Sequence, residues 1–169
     1  MMVTIASTYN YYLPMSYSHY MTARNLNNTG LESKLCELLA DIGFSGVFEI
    51  EFLEDQDGGL WFSEVNFRNS TWSYASTCAG MPLVLMWADS ILKGDVDHSL
   101  MRSVPENFTA IVEPSDFGER VKKKKMSIGT WLHDLKASNC RFYFGRGDDL
   151  RPVLSKIGEV LGRNAHVRS

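Results

Sequence analysis

Gly46-Val47-Phe48-Glu49-Ile50-Glu51-Phe52, the polar run Glu54-Asp55-Gln56-Asp57-Gly58-Gly59, and then Phe62-Ser63-Glu64-Val65-Asn66-Phe67-Arg68 decide how this chain is read. Two apolar-polar alternating segments around a polar, glycine-bearing turn predict an antiparallel hairpin, with strands over 46–52 and 62–68. Side chains alternate faces along a strand. Phe48, Ile50 and Phe52 therefore share one face, with Glu49 and Glu51 on the other. On the second strand Glu64, Asn66 and Arg68 share a face, opposite Val65 and Phe67. If the apolar faces join one core, the other face carries Glu49, Glu51, Glu64, an amide and a guanidinium.

Like charges opposed on neighbouring strands destabilise a sheet, so something positive is expected among these carboxylates. A hard divalent cation with oxygen ligands suits them. Mg²⁺ typically takes one or two carboxylates and completes its octahedron with water and substrate phosphates. Arg68 would then contact the phosphates. The plainer alternative is a solvated outer face with weak surface ion pairs. Asn66 argues against it, being a poor strand former with no structural reason to stand mid-strand.

An acidic strand, a turn and then Glu64-Val65-Asn66-Phe67-Arg68, followed by Ala79-Gly80-Met81-Pro82 at a helix start, resembles the C-terminal half of the ATP-grasp domain. The resemblance covers about Gly43 to Gly80 and is closest to carbamoyl-phosphate synthase large-chain-like and D-aspartate-ligase-like ATP-grasp proteins. It implies that Glu51, Glu64 and Asn66 hold Mg²⁺ or Mn²⁺ against the phosphates of ATP. It implies a phosphate- or substrate-contacting, catalytic role for Arg68. For Arg24 and Asn27, in the run Thr22 to Gly30, it implies a nucleotide or substrate contact. The implied reaction is ligation: ATP phosphorylates a small carboxylate, and an amine or ammonia attacks the acylphosphate. The implied partners are ATP, that carboxylate or amine, and an N-terminal ATP-grasp half supplying flap lysines and the adenine hinge. No glycine-rich phosphate loop precedes Gly43. The chain is thus expected to be a C-terminal fragment, inactive by itself. The alternative is a non-catalytic ATP-grasp-derived binding or dimerisation module, and a homodimer is compatible with either.

The rest of the chain sets the frame. At 169 residues, 44% hydrophobic and 22% charged, it has the composition of a globular domain. A formal net charge of −3 gives no reason to expect nucleic acid as a partner. The longest apolar run, Met81 to Ala88, is too short to span a membrane, and no secretory signal opens the chain, so a cytoplasmic location is expected. Cys36, Cys78 and Cys140 are too few and too scattered for a disulfide framework or zinc site.

A strand is expected over 3–13 and an amphipathic helix over 31–42, with Thr29 as its cap and Gly43 as its stop. A second helix should open at Pro82 and close at Gly94. Further on come a loop over 95–105, a strand over 108–112, a polar helix over 114–125 ending in Lys122-Lys123-Lys124-Lys125, a strand over 141–144 and a helix over 152–161. The lysine run reads as a solvated helix end favoured by the macrodipole. Hairpins and separate helices without repeated βαβ units make the fold α+β, an antiparallel sheet with flanking helices. The expected division is an ATP-grasp subdomain over 1–94 and an extension over 95–169.

Overall fold

The computed structural model describes residues 4–11, 18–144, 151, 154 and 155. The fold is α+β, in two compact units. One comprises residues 1–6 and 25–104, the other residues 7–24 and 105–169. The first unit thus runs past Gly94, and the segment 7–24 joins the second. The expected helix over 152–161 falls almost wholly outside the described residues.

In the first unit α1 (Thr29–Asp41) is capped one residue earlier than expected: the Asn28 side chain accepts from Leu31 N at 3.0 Å. The helix ends at Ile42, and Gly43 takes φ 63°, the left-handed conformation a helix stop favours. Strands β3 (Glu49–Glu54) and β4 (Leu60–Asn66) form a separate two-stranded antiparallel sheet. The short helix α2 (Ser73–Cys78) precedes α3 (Leu83–Lys93), which opens after Pro82 and closes on Gly94 at φ 78°. A 3₁₀ turn at His98–Leu100 interrupts the expected loop. The buried residues here are Leu39, Ala75, Ser76, Ala79, Met81, Met86 and Val104.

The second unit holds the larger sheet, in the order β1 (Ala6–Tyr9), β2 (Tyr20–Arg24), β5 (Phe108–Ile111), β6 (Cys140–Arg141). β2 and β5 are antiparallel with Met21 opposite Ala110, whereas β5 and β6 are parallel. Met21, Ala23, Phe108, Ala110 and Ile111 give the central strands a buried apolar core. The expected polar helix over 114–125 is a correction. α4 (Glu113–Phe117) passes into a π-helical turn at Gly118–Lys122, and Glu113, Asp116 and Arg120 are buried rather than solvated. α5 (Ile128–Ala137), capped by Ser127 Oγ, buries Trp131.

Strand 141–144 is shorter than expected: Phe142 N still reaches Ile111 O of β5 at 3.3 Å, but the backbone there turns onto a side chain. Glu113 Oε2 accepts from the backbone N–H of Phe142 and of Tyr143, each at 3.0 Å, and Oε1 accepts from Phe144 N at 3.0 Å. A buried carboxylate needs such partners.

Candidate functional site

The hairpin turn is built by Asp55, whose carboxylate accepts from Asp57 N (3.0 Å), Gly59 N (2.7 Å) and Trp61 Nε1 (2.8 Å). These bonds to the ionised form hold the Asp55 carboxyl below its ordinary range, the Trp61 bond most of all. They fix the register that follows: Glu49 opposite Asn66, Ile50 opposite Val65, and Glu51 opposite Glu64. Directly opposed residues share a face. The pairing thus puts Glu49, Glu51, Glu64 and Asn66 on one face, as the alternation predicted, and Ile50 and Val65 on the other.

The strands run over 49–54 and 60–66, displaced from the expected 46–52 and 62–68. Beyond Glu51 the register shifts, so that Phe52 faces Phe62 and Ser63 is the extra residue of a bulge. That shift moves Phe62 off the carboxylate face, where simple alternation had put it, to the apolar side. There its ring meets Phe52 edge-on at 6.2 Å. Arg68 lies beyond the end of β4 and donates from Nη1 to Asn69 O at 3.4 Å.

Within the polar face Asn66 Nδ2 donates to Glu64 Oε1 at 2.8 Å, leaving Asn66 Oδ1 as its ligand atom. Burial, then the charges of Glu49 and Glu64, push the Glu51 carboxyl above its ordinary range, and Arg68 opposes the rise. Glu51 therefore feels both neighbouring acids. That donor set, two opposed carboxylates and an amide oxygen, fits a hard cation that brings further oxygen ligands. No group of three or more His, Cys, Asp or Glu side chains is placed to hold a metal among the described residues, so any ion there relies on Asn66, water and phosphate.

Of the other expected contacts, Arg24 ends β2 in the second unit, exposed. Asn27 lies in the first unit with φ 49°.

A second polar cluster was missed at the sequence level. Arg120 Nε donates to both oxygens of buried Asp116 (3.1 and 2.9 Å), and Nη1 donates to Asp134 Oδ2 at 2.7 Å. Nη2 lies 2.8 Å from Asp116 Oδ2 without hydrogen-bond geometry. Trp131 Nε1 and the Tyr11 hydroxyl also donate to Asp116, at 2.8 and 2.7 Å. The guanidinium lies over the rings of Tyr11 and Tyr20, at 5.3 and 5.0 Å from their centroids. Burial, then the bond to Asp116, push the Tyr11 hydroxyl well above its ordinary range. One signal was available: Asp116 and Arg120 fall on a helical repeat with Glu113, a spacing that also suits a solvated face.

No family model, no curated protein and no solved structure matches this chain.

Proposed function

We propose that this chain carries the Mg-ATP phosphate-binding strands of an ATP-grasp ligase that joins a small carboxylate to an amine or ammonia. The supporting observation is the opposition of Glu51 to Glu64 and of Glu49 to Asn66 across one ladder, with Glu51 held above its ordinary proton affinity by burial and then by the charges of the other two acids. In this reading Glu51 and Glu64 grip Mg²⁺ or Mn²⁺ from facing strands, and Asn66 contributes Oδ1. Bound there, the ion neutralises charge on the transferring phosphoryl oxygens. Arg68, exposed and bonded to a neighbouring carbonyl at 3.4 Å, would swing onto a phosphate. Arg24 and Asn27 enter only through the resemblance, as nucleotide contacts.

The alternative, a non-catalytic binding or dimerising module, has its own support. Leu53, Trp61 and Phe62 are 65%, 65% and 58% exposed around the hairpin, more apolar surface than a solvent-facing sheet needs. An N-terminal ATP-grasp half or a second copy would cover such residues.

Thermal melts in EDTA, in Mg²⁺, and in Mg²⁺ with ATP test the reading. Binding to the folded state alone stabilises by about 2.7 kcal/mol at a hundredfold excess over Kd. With few protein ligands the affinity is weak, so millimolar Mg²⁺ should raise Tm slightly, and ATP should add little to the isolated chain. Glu64→Gln with Asn66→Ala should remove the metal-dependent rise. No rise at any metal concentration would leave the face a solvated surface.

A further inference from the structure

The geometry points to a second ligand site, in the unit of residues 7–24 and 105–169, for a small organic anion bearing a carboxylate or phosphate group. A cavity of about 560 Å³ opens there among Asn10, Tyr11, Tyr20, Arg120, Lys125 and Asp134, with Met126 adding apolar wall. Its size lies within the roughly 300–1,000 Å³ of small-molecule sites.

Among the described residues, pairing within the site leaves Lys125 loosely held. Asp116 and Asp134, the second of which lines the cavity, are both engaged by Arg120, at 2.9 and 2.7 Å. Glu119 is gripped by Lys123 at 2.6 and 2.8 Å, whereas Lys125 stands 3.8 Å from it. Among the described residues, Lys125 is thus the lining charge held least closely. Neutral donors accompany it. Asn10 Oδ1 is taken by Thr22 Oγ1 at 2.8 Å, which leaves the amide N–H groups to donate, and Tyr20 lines the same wall. Donors around a loosely held ammonium suit an anion, and Met126 with the tyrosine rings suits its organic part.

The backbone that presents Lys125 is unusual in ways that folding alone does not require. Arg120 sits in the π-helical turn Gly118–Lys122, a rare conformation concentrated at functional sites. Lys124 follows in the left-handed region at φ 56°, strained for a side-chain-bearing residue. Lys125 N and Met126 N then both donate to Arg120 O at 2.9 Å, which turns the two side chains toward the cavity rim. Behind them a buried guanidinium with two carboxylates occupies space that apolar side chains would fill at no loss of stability.

The test is a ¹H–¹⁵N NMR titration of the whole chain with phenyl phosphate and, separately, phenylacetate at constant ionic strength. At least one probe should give saturable shifts at Asn10, Tyr20, Lys125 and Met126, and the tighter of the two names the head group. Lys125→Glu should weaken that probe roughly tenfold or more, given the strength of charge-assisted hydrogen bonds, and Lys122→Glu, outside the lining, should leave it unchanged. Lys125 is about half exposed, so its variant should keep the parent spectrum. Shifts that fail to saturate with both probes would overturn the site, as would equal binding by a folded Lys125→Glu protein.

Discussion

Glu51 faces Glu64 across the ladder with Glu49 beside it, and the cost of that arrangement depends on pH. Its folded-state proton affinity lies above the ordinary one, so ionisation opposes folding. The penalty is absent below the unfolded pKa, builds as pH rises through the folded one, and is complete above it. Glu51→Gln should therefore stabilise the metal-free chain by about 0.5 kcal/mol at neutral pH, the scale of a like-charge strand pair open to water. The gain should vanish at pH values acid to that of an ordinary glutamate, about 4. Urea melts across that range check it. In millimolar Mg²⁺ the gain should shrink, because the variant has lost one of the two opposed carboxylates.

Asp116 is the opposite case, a fully buried acid whose oxygens serve Arg120, Trp131 and Tyr11. Asp116→Ala strands a buried guanidinium with Asp134 alone. A loss of about 3–5 kcal/mol is expected by denaturant unfolding.

At the scale of elements, caps and stops were largely legible and registers were not. Gly43 and Gly94 end their helices as their composition implies, and Pro82 begins one. The cap of α1 went to Asn28 rather than Thr29, which is already inside the helix, and the Asn28 amide oxygen reaches Leu31 N. Asn28→Ala should then cost about 1 kcal/mol in thermal stability, and Thr29→Ala only a few tenths. The carboxylate face of the hairpin followed from period-two alternation as far as Glu51. It failed at Ser63, because alternation cannot see a bulge. Residues 114–125 misled for a different reason. Charged residues at helical spacing suggest a wet face, yet here Glu113 closes on three backbone N–H groups and Arg120 on two acids, so the charges are satisfied inside. Only tertiary partners distant in sequence, such as Tyr11 and Phe142, reveal that.

On the scale of the whole molecule, α+β architecture was readable from hairpin and helix signals. The pairing of 7–24 with 105–169 was not, because it rests on the short ladder of β2 with β5, strands far apart in sequence. No helix among the described residues is long and apolar enough to cross a membrane. The two units carry different polar chemistry: an acidic strand face in one, and a buried arginine network beside a cavity in the other. The functional account stands or falls on the first. Mn²⁺ added at substoichiometric amounts to ¹⁵N-labelled chain broadens amides near its binding site. The account predicts earliest loss of signal at Glu51, Glu64 and Asn66, abolished by Glu64→Gln with Asn66→Ala. Broadening that spares the hairpin, or that persists there in the double variant, would contradict it.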